Sequence, residues 1–298
     1  MKGKKKLELD APAFLSVRRG KVDVFVVGTS PFIYNAVSEK TRQELLFPRR
    51  RRTDADRAEL GPKHDPLREY RDSCYAHMGH DRATRLMCPV GAFKKAMETA
   101  ALDMPGVTKA RIVRQVWIDE RDVDMYGTPQ IYMAIVRNSD INRTPDVRTR
   151  AVLPEWACRF SVGYAEPLVK PEWISMLLAA AGIYCGIGDG RQEKGHGHGQ
   201  FELVQPNDKR YLAIIKAGGR VPQDNALRTP EPYDLETARL LSWWLEESKR
   251  PSARVAVEIS DKPAKPRLRA NGKVEVVAET AEPAKSKRRG KLSRVEAA

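Results

Sequence analysis

PEWISMLLAAAGIYCGIGDGRQEKGHGHGQFELV, residues 171–204, contains a helix, a loop and a strand in immediate succession. Behind Pro171, the residues Trp173, Ile174, Leu177, Leu178 and Ala181 recur at helical spacing, which predicts an amphipathic helix from Pro171 to Gly182. Gly199 to Val204 predicts a strand. Between them, Gly186, Gly188, Gly190, Gly195, Gly197 and Gly199 place six glycines in fourteen residues. Such a backbone takes positive φ and lets amides approach a ligand without intervening side chains. Arg191 and Lys194 add charge-assisted donors, so the physical reading is an anion-binding loop, with a flexible connection that holds no ligand as its competitor. A dinucleotide fingerprint is excluded because its glycines open a helix, whereas these leave one. A nucleotide P-loop needs Ser or Thr after its lysine, and Gly195 follows Lys194.

The flanking sequence extends this pattern. Lys21 to Gly28 is a β-branched run closed by glycine and predicts a first strand. Residues 29–87 carry weak periodicity, the run Arg49 to Arg52 and a polar stretch through His64, and read as a long surface insertion. Near Pro89 a helix is predicted, with Phe93, Ala96, Met97 and Ala100 inward and Lys94 and Lys95 outward. Val107 to Asp119 predicts a strand, and Gln130 to Arg137 with Val147 to Leu153 a hairpin inside an insertion near 120–155. Trp156 to Tyr164 predicts another strand. With the insertions removed the order is β-α-β-β-α-β, so the expected class is α+β with a ferredoxin-like (RRM-like) core. Asp234 to Lys249 predicts a last helix whose Trp243 and Trp244 pack on the domain, base stacking being the alternative.

The expected domain layout is a basic segment at 1–20, a domain at 21–250 and a tail at 251–298. The chain has 298 residues, with 53 Lys+Arg against 39 Asp+Glu for a net charge of +14. Of that excess, +8 falls from Lys249 onward, in a segment rich in Pro, Ala, Lys and Glu that is expected to be disordered. A chain this basic is expected to seek polyanions, nucleic acid first. The run Lys285 to Lys291, like Arg49 to Arg52, would add salt-sensitive affinity for phosphates. Four cysteines and a start without an apolar targeting run predict a cytoplasmic protein, and no apolar stretch is long enough for a membrane helix.

Two motifs in order carry a family resemblance. Gly-x-Gly, a spacer with Arg and Lys, then Gly-x-Gly-x-Phe resembles the glycine-rich loop of the RAMP superfamily, the RNA-binding subunits of CRISPR systems. Cys88-Pro89-Val90-Gly91-Ala92-Phe93-Lys94-Lys95-Ala96-Met97 is similar to that family's Pro-Gly-Ser-Ser-Leu-Lys-Gly-Ala-Leu segment, with Gly91-Ala92 in place of the Ser pair. The resemblance covers residues 20–205, with insertions where effector backbone subunits carry finger-like and thumb-like elements. The Leu153-Pro154-Glu155-Trp156 stretch and the Gly186–Arg191 run look more particularly like RAMP-like proteins of phages and prophages.

The resemblance implies a subunit that binds single-stranded RNA or DNA and assembles with copies of itself or in a ribonucleoprotein. In this reading it binds along the sheet face and glycine loop, without catalysis and without a cofactor. Gly186, Gly188, Gly190, Gly195, Gly197 and Gly199 would allow close backbone approach. Arg191, Lys194, Lys94 and Lys95 would neutralise phosphates, and the hairpin near Arg143 and Arg148 would space nucleotides. Two alternatives stand beside it. One is a metal-independent endoribonuclease using His196 or His198 as base on a ribose 2′-hydroxyl. The other is a structural or assembly protein that docks through its basic tail. Cys74, His77, His80 and Cys88 are metal-capable, but they lack the second knuckle of a structural zinc site and no metal is assigned.

Overall fold

Strand β1 (Arg18–Gly28) lies inside the main sheet, with its even residues Val24 and Val26 buried in the core and Lys21 and Asp23 exposed on the opposite face. The computed structural model describes residues 16–46, 64–137 and 143–249. All belong to one compact unit that ends at Pro251. The predicted tail, the runs Arg49–Arg52 and Lys285–Lys291 and most of the basic first twenty residues lie outside the described residues.

β1 pairs antiparallel with β8 (Ala157–Glu166) on one side and β9 (Phe201–Val204) on the other. β8 in turn pairs with β4 (Val116–Ile118) and, further along, with β5 (Asp122–Tyr126), which carries β3 (Met87–Pro89) at the edge. The order is β3-β5-β8-β1-β9, antiparallel throughout. Counting helices in chain order, α1 is Glu39–Leu46, α2 Pro66–Asp72, α3 Gly91–Ala100, α4 Lys109–Gln115 and α5 Pro171–Ala180. α3 and α5 cover one face, with Phe93, Ala96, Met97, Ile174, Leu177 and Leu178 buried against Val24, Val26, Phe160 and Phe201. The protein is thus α+β with antiparallel sheets. No helix among the described residues is long and apolar enough to cross a membrane.

The opposite face is not open along its length. α6 (Lys209–Ala217), capped by the Asp208 carboxylate, lays Tyr211, Ile214 and Ile215 on Phe25, Val27, Ala157 and Val204. At the far end Arg19 stacks 5.1 Å from the Trp117 ring and pairs with Asp119. A strand of nucleic acid laid along this face therefore meets a helix.

The hairpin forms as expected. β6 (Gln130–Arg137) pairs with β7 (Pro145–Leu153), and β2 (Phe32–Ile33) adds to β7 to make a second sheet. Two expectations are corrected here. Val107 to Gln115 is not a strand: Thr108 caps α4 by accepting from the Arg111 amide, and only Val116–Ile118 extends. Nor are the described parts of the segment 29–87 confined to the surface, since Phe32, Tyr34, Tyr70 and Leu86 are fully buried. Tyr70 donates to the carbonyls of Pro129 and Ala226, and Ser73 Oγ accepts from Ala151 N–H, so hydrogen bonds tie the segment to both sheets' neighbours.

α7 (Arg220–Arg228) and α8 (Leu235–Lys249) complete the fold. Asp234 caps α8 as predicted. Trp244 donates to the His64 carbonyl, whereas Trp243 remains 61% exposed, so only one of the pair packs as expected.

Within the core, Tyr34 is wholly buried and its hydroxyl has no partner among the described residues. Burial accordingly pushes its pKa well up. A desolvated hydroxyl without a bond costs roughly 1–3 kcal/mol. Tyr34→Phe is expected to leave the fold intact and raise stability by about 1 kcal/mol, read as a shift in the urea midpoint; a loss of that size would show that the hydroxyl is bonded.

Candidate functional site

α5 does not end cleanly. Its backbone widens over Ala181–Cys185 and closes when the Gly186 amide donates to the Ala181 carbonyl, at 2.8 Å. Gly186 then takes φ 66°, and the chain turns across the ends of both sheets. Ile187 is buried and donates to Gly199, Asp189 donates to Ile33 on β2, and Gly199 donates to Pro31, all at 2.8–2.9 Å. These three bonds clamp the base of the loop.

The glycines divide into two groups. Gly188, at φ 84°, sits against the Ile33 carbonyl and the Phe32 ring, and Gly199, at φ 73°, sits against Ile187, so these positions exclude side chains because protein packs there. Gly195 and Gly197 are exposed and meet nothing within 4 Å of where a Cβ would stand. Most amides are used within the molecule: those of Gly190, Lys194, Gly195, His196 and His198 all donate inside the loop. The expectation that a run of glycine amides is presented outward is thereby reduced, at the exposed tip, to the amide of Gly197. Side chains carry the charge.

Lys194 Nζ lies 3.1 Å from Asp189 Oδ1, and Arg191 lies 3.7 Å from Glu193. Partial burial pushes the Asp189 pKa up, but hydrogen bonds from Lys194 and the Gly190 amide, with the charges of Lys194 and Arg150, outweigh it and hold it below the usual range. Arg150 is the residue that sequence reading missed. It stands on β7 two positions from Arg148, on the same face, and is paired across the hairpin with Tyr132. Tyr132 meets Tyr233 edge to face at 5.7 Å. Tyr75, whose pKa is raised by burial, also feels the positive charges of Arg150 and Arg42. The Nε atoms of both Arg150 and Arg191 are buried without a partner among the described residues. Arg150 thus links the loop to the hairpin, since it lies across from Tyr132 and acts on both Asp189 and Tyr75, while Asp234 and Glu236 act on Tyr132 from the other side of the chain.

The other candidates are dispersed. Lys94 donates to the Val113 carbonyl, and Lys95 is exposed on α3. No hydrogen bond or ion pair among the described residues joins either to the loop. Arg143, at φ 47°, and Arg148 are exposed along the approach to and course of β7. His196 and His198 stack with centroids 6.1 Å apart, and no described residue orients either ring by a hydrogen bond. Burial and the neighbouring His196 charge outweigh Asp189 and lower the His198 pKa.

Of the metal-capable set, His77 pairs with Asp124 at 2.8 Å and His80 meets Arg220. No three such groups converge among the described residues. Burial pushes the Cys74 and Cys88 thiols up to about 12, so neither is a ready nucleophile near neutral pH. No protein-family model matches the sequence, and comparison with curated proteins gives no match.

Proposed function

We propose that the protein binds single-stranded nucleic acid, RNA in the first instance, through its glycine loop and the outer face of its hairpin, as a non-catalytic RAMP-type subunit on a ferredoxin-like core. The strand order β5-β8-β1-β9, with α3 and α5 on one face, supports that core. The observation that carries the binding reading is the junction at Ile33, where the Asp189 amide bonds to β2 and the Asp189 carboxylate meets the charges of both Lys194 of the loop and Arg150 of β7. A cation such as Arg150 with Tyr132 and Tyr75 near it suits a flexible polyanion whose bases can stack. The unoriented histidines favour holding RNA over cleaving it, because a general base has to be held against its proton.

The test is fluorescence anisotropy with labelled single-stranded RNA and DNA of one sequence, titrated against salt. Reversing Arg150, Arg191 and Lys194 together to Glu is expected to weaken binding by more than tenfold. Replacing each singly by Ala should flatten the log–log salt slope by about 0.7 for every phosphate no longer neutralised. Unchanged affinity in the triple variant overturns the reading, and affinity that disappears only on truncation after Lys249 favours assembly through the tail. RNA cut without added metal, and spared in His196→Ala or His198→Ala, favours the endoribonuclease.

The pH dependence has a definite sign. Because its folded pKa is lowered, His198 is neutral at pH 7 and gains its proton only below the ordinary histidine range near 6.5. Affinity for RNA should therefore rise as pH falls from 7 to 5. His198→Gln should lose part of that rise, whereas an identical profile in the variant would remove His198 from the interface.

A further inference from the structure

Between the hairpin and α8 lies an apolar groove of about 350 Å³. Leu240, Trp243, Trp244 and Glu247 recur at i, i+3, i+4 and i+7, which sets them on one face of α8, and all four line the groove. The stripe thus ends in a carboxylate where an apolar side chain would continue it. Met133 and Val147 close the groove from the hairpin, on the face opposite Arg150, so it is separate from the RNA contact proposed above. Trp244 is held in place by its Nε1, which donates to the His64 carbonyl at 3.2 Å. Trp243 remains 61% exposed and leaves a large aromatic surface in water. At the rim, His64 lies between two more carboxylates, Glu69 at 2.8 Å and Asp146 at 3.0 Å. The chain carries 53 Lys+Arg, yet none lines this groove among the described residues. Such walls favour a positive guest, because the face of an indole ring attracts a cation more strongly than any other side-chain ring.

We propose that the groove binds a small organic ammonium ion, a molecule with an apolar or aromatic body and a quaternary or tertiary amine. The body would fill the space between Met133, Val147 and Leu240, and the ammonium would sit over Trp243 with Glu247 as its counter-charge. An anion finds no lysine or arginine among the lining residues, and a neutral hydrocarbon makes no use of Glu247. The volume is that of a single small-molecule site, near the lower end of the usual range of about 300–1,000 Å³. A peptide backbone would bring amides and carbonyls against walls that offer them almost no polar partner. This site is independent of the nucleic-acid reading.

The experiment titrates the full chain with phenyltrimethylammonium and, in parallel, with its uncharged isostere tert-butylbenzene and with phenylacetate, following the indole N–H resonances of the tryptophans by NMR. The expected result is saturable shifts of Trp243 and Trp244 with phenyltrimethylammonium, at an affinity at least tenfold above that for either control. Trp243→Ala, at an exposed position that should leave circular dichroism unchanged, is expected to weaken the cation about tenfold, the size of one partly desolvated cation–π contact. Glu247→Gln should weaken the cation at least threefold and leave tert-butylbenzene unaffected. A control bound as tightly as the ammonium, no saturable shift, full affinity in Trp243→Ala, or a trimethyllysine peptide held more than tenfold tighter than the free ammonium would each overturn the proposal.

Discussion

Replacing Gln223 by Leu is expected to destabilise the protein by about 3–5 kcal/mol, lowering the melting temperature by roughly 10 °C for a domain of this size. Gln223 is completely buried on α7. Its Oε1 accepts from the amides of Arg85 and Leu86 at 2.8 and 2.9 Å. Its Nε2 donates to the carbonyls of Met125, Gly127 and Gly218 at 2.7–3.0 Å. One carboxamide thus meets five backbone groups from three separate parts of the chain, its two N–H shared among three carbonyls. Leucine keeps the volume and removes every bond, leaving at least the two amides unpaired at about 1–3 kcal/mol each. Gln223→Glu is the complementary variant: the carboxylate can still accept but cannot donate to three carbonyls, and it buries a charge. Differential scanning calorimetry decides between outcomes. A shift under 2 °C in both variants would mean that the network is not made in solution.

Gly199→Ala should be the most damaging change in the loop, costing about 3 kcal/mol or more and weakening RNA binding with it. Two terms add. At φ 73° an alanine pays roughly 1–2 kcal/mol for its left-handed backbone. Its Cβ would also stand inside contact distance of the Ile187 carbonyl, a backbone atom that can move only by opening the Ile187–Gly199 bond. Gly197→Ala supplies the contrast: φ is not positive there and the space is open, so stability should change by less than about 0.5 kcal/mol. Denaturant midpoints for the two variants measure the difference directly. Similar midpoints would show that the clamped base of the loop is no more constrained than its tip.

What could be read from the chain beforehand follows the range of the interactions involved. α3, α5 and the β6–β7 hairpin were legible because each carries its own period: Phe93, Ala96, Met97 and Ala100 form a stripe, and Ile131 and Met133 alternate with Tyr132 and Ala134. α4 was misread because Ile112 and Val113 are β-branched, a composition that suits a strand, and the Thr108 cap outweighed it. α6 and α7 escaped notice since their buried faces are narrow, each having one buried residue, Tyr211 and Gln223. Segment 29–87 reads as superficial because its apolar runs, Phe32–Tyr34 and Leu86–Cys88, are short, Tyr70 stands among charged residues, and all of them find their neighbours only in three dimensions. The loop was visible as a cluster of glycines, but its function divides by contacts with Pro31 and Ile33, more than 150 residues away. Arg150 gave no local signal: its place beside Asp189 depends on β2 joining β7, a pairing of two residues.

That two-residue strand has a mechanical consequence. Ile33 gives its carbonyl to Asp189, pairs with Val152, and is followed by Tyr34, whose amide bonds to Ala151. There is no slack between these rungs. A load applied at the loop tip is handed through Ile33 to the hairpin as tension in hydrogen bonds, not absorbed by the connecting chain, and stiffening either end stiffens the other.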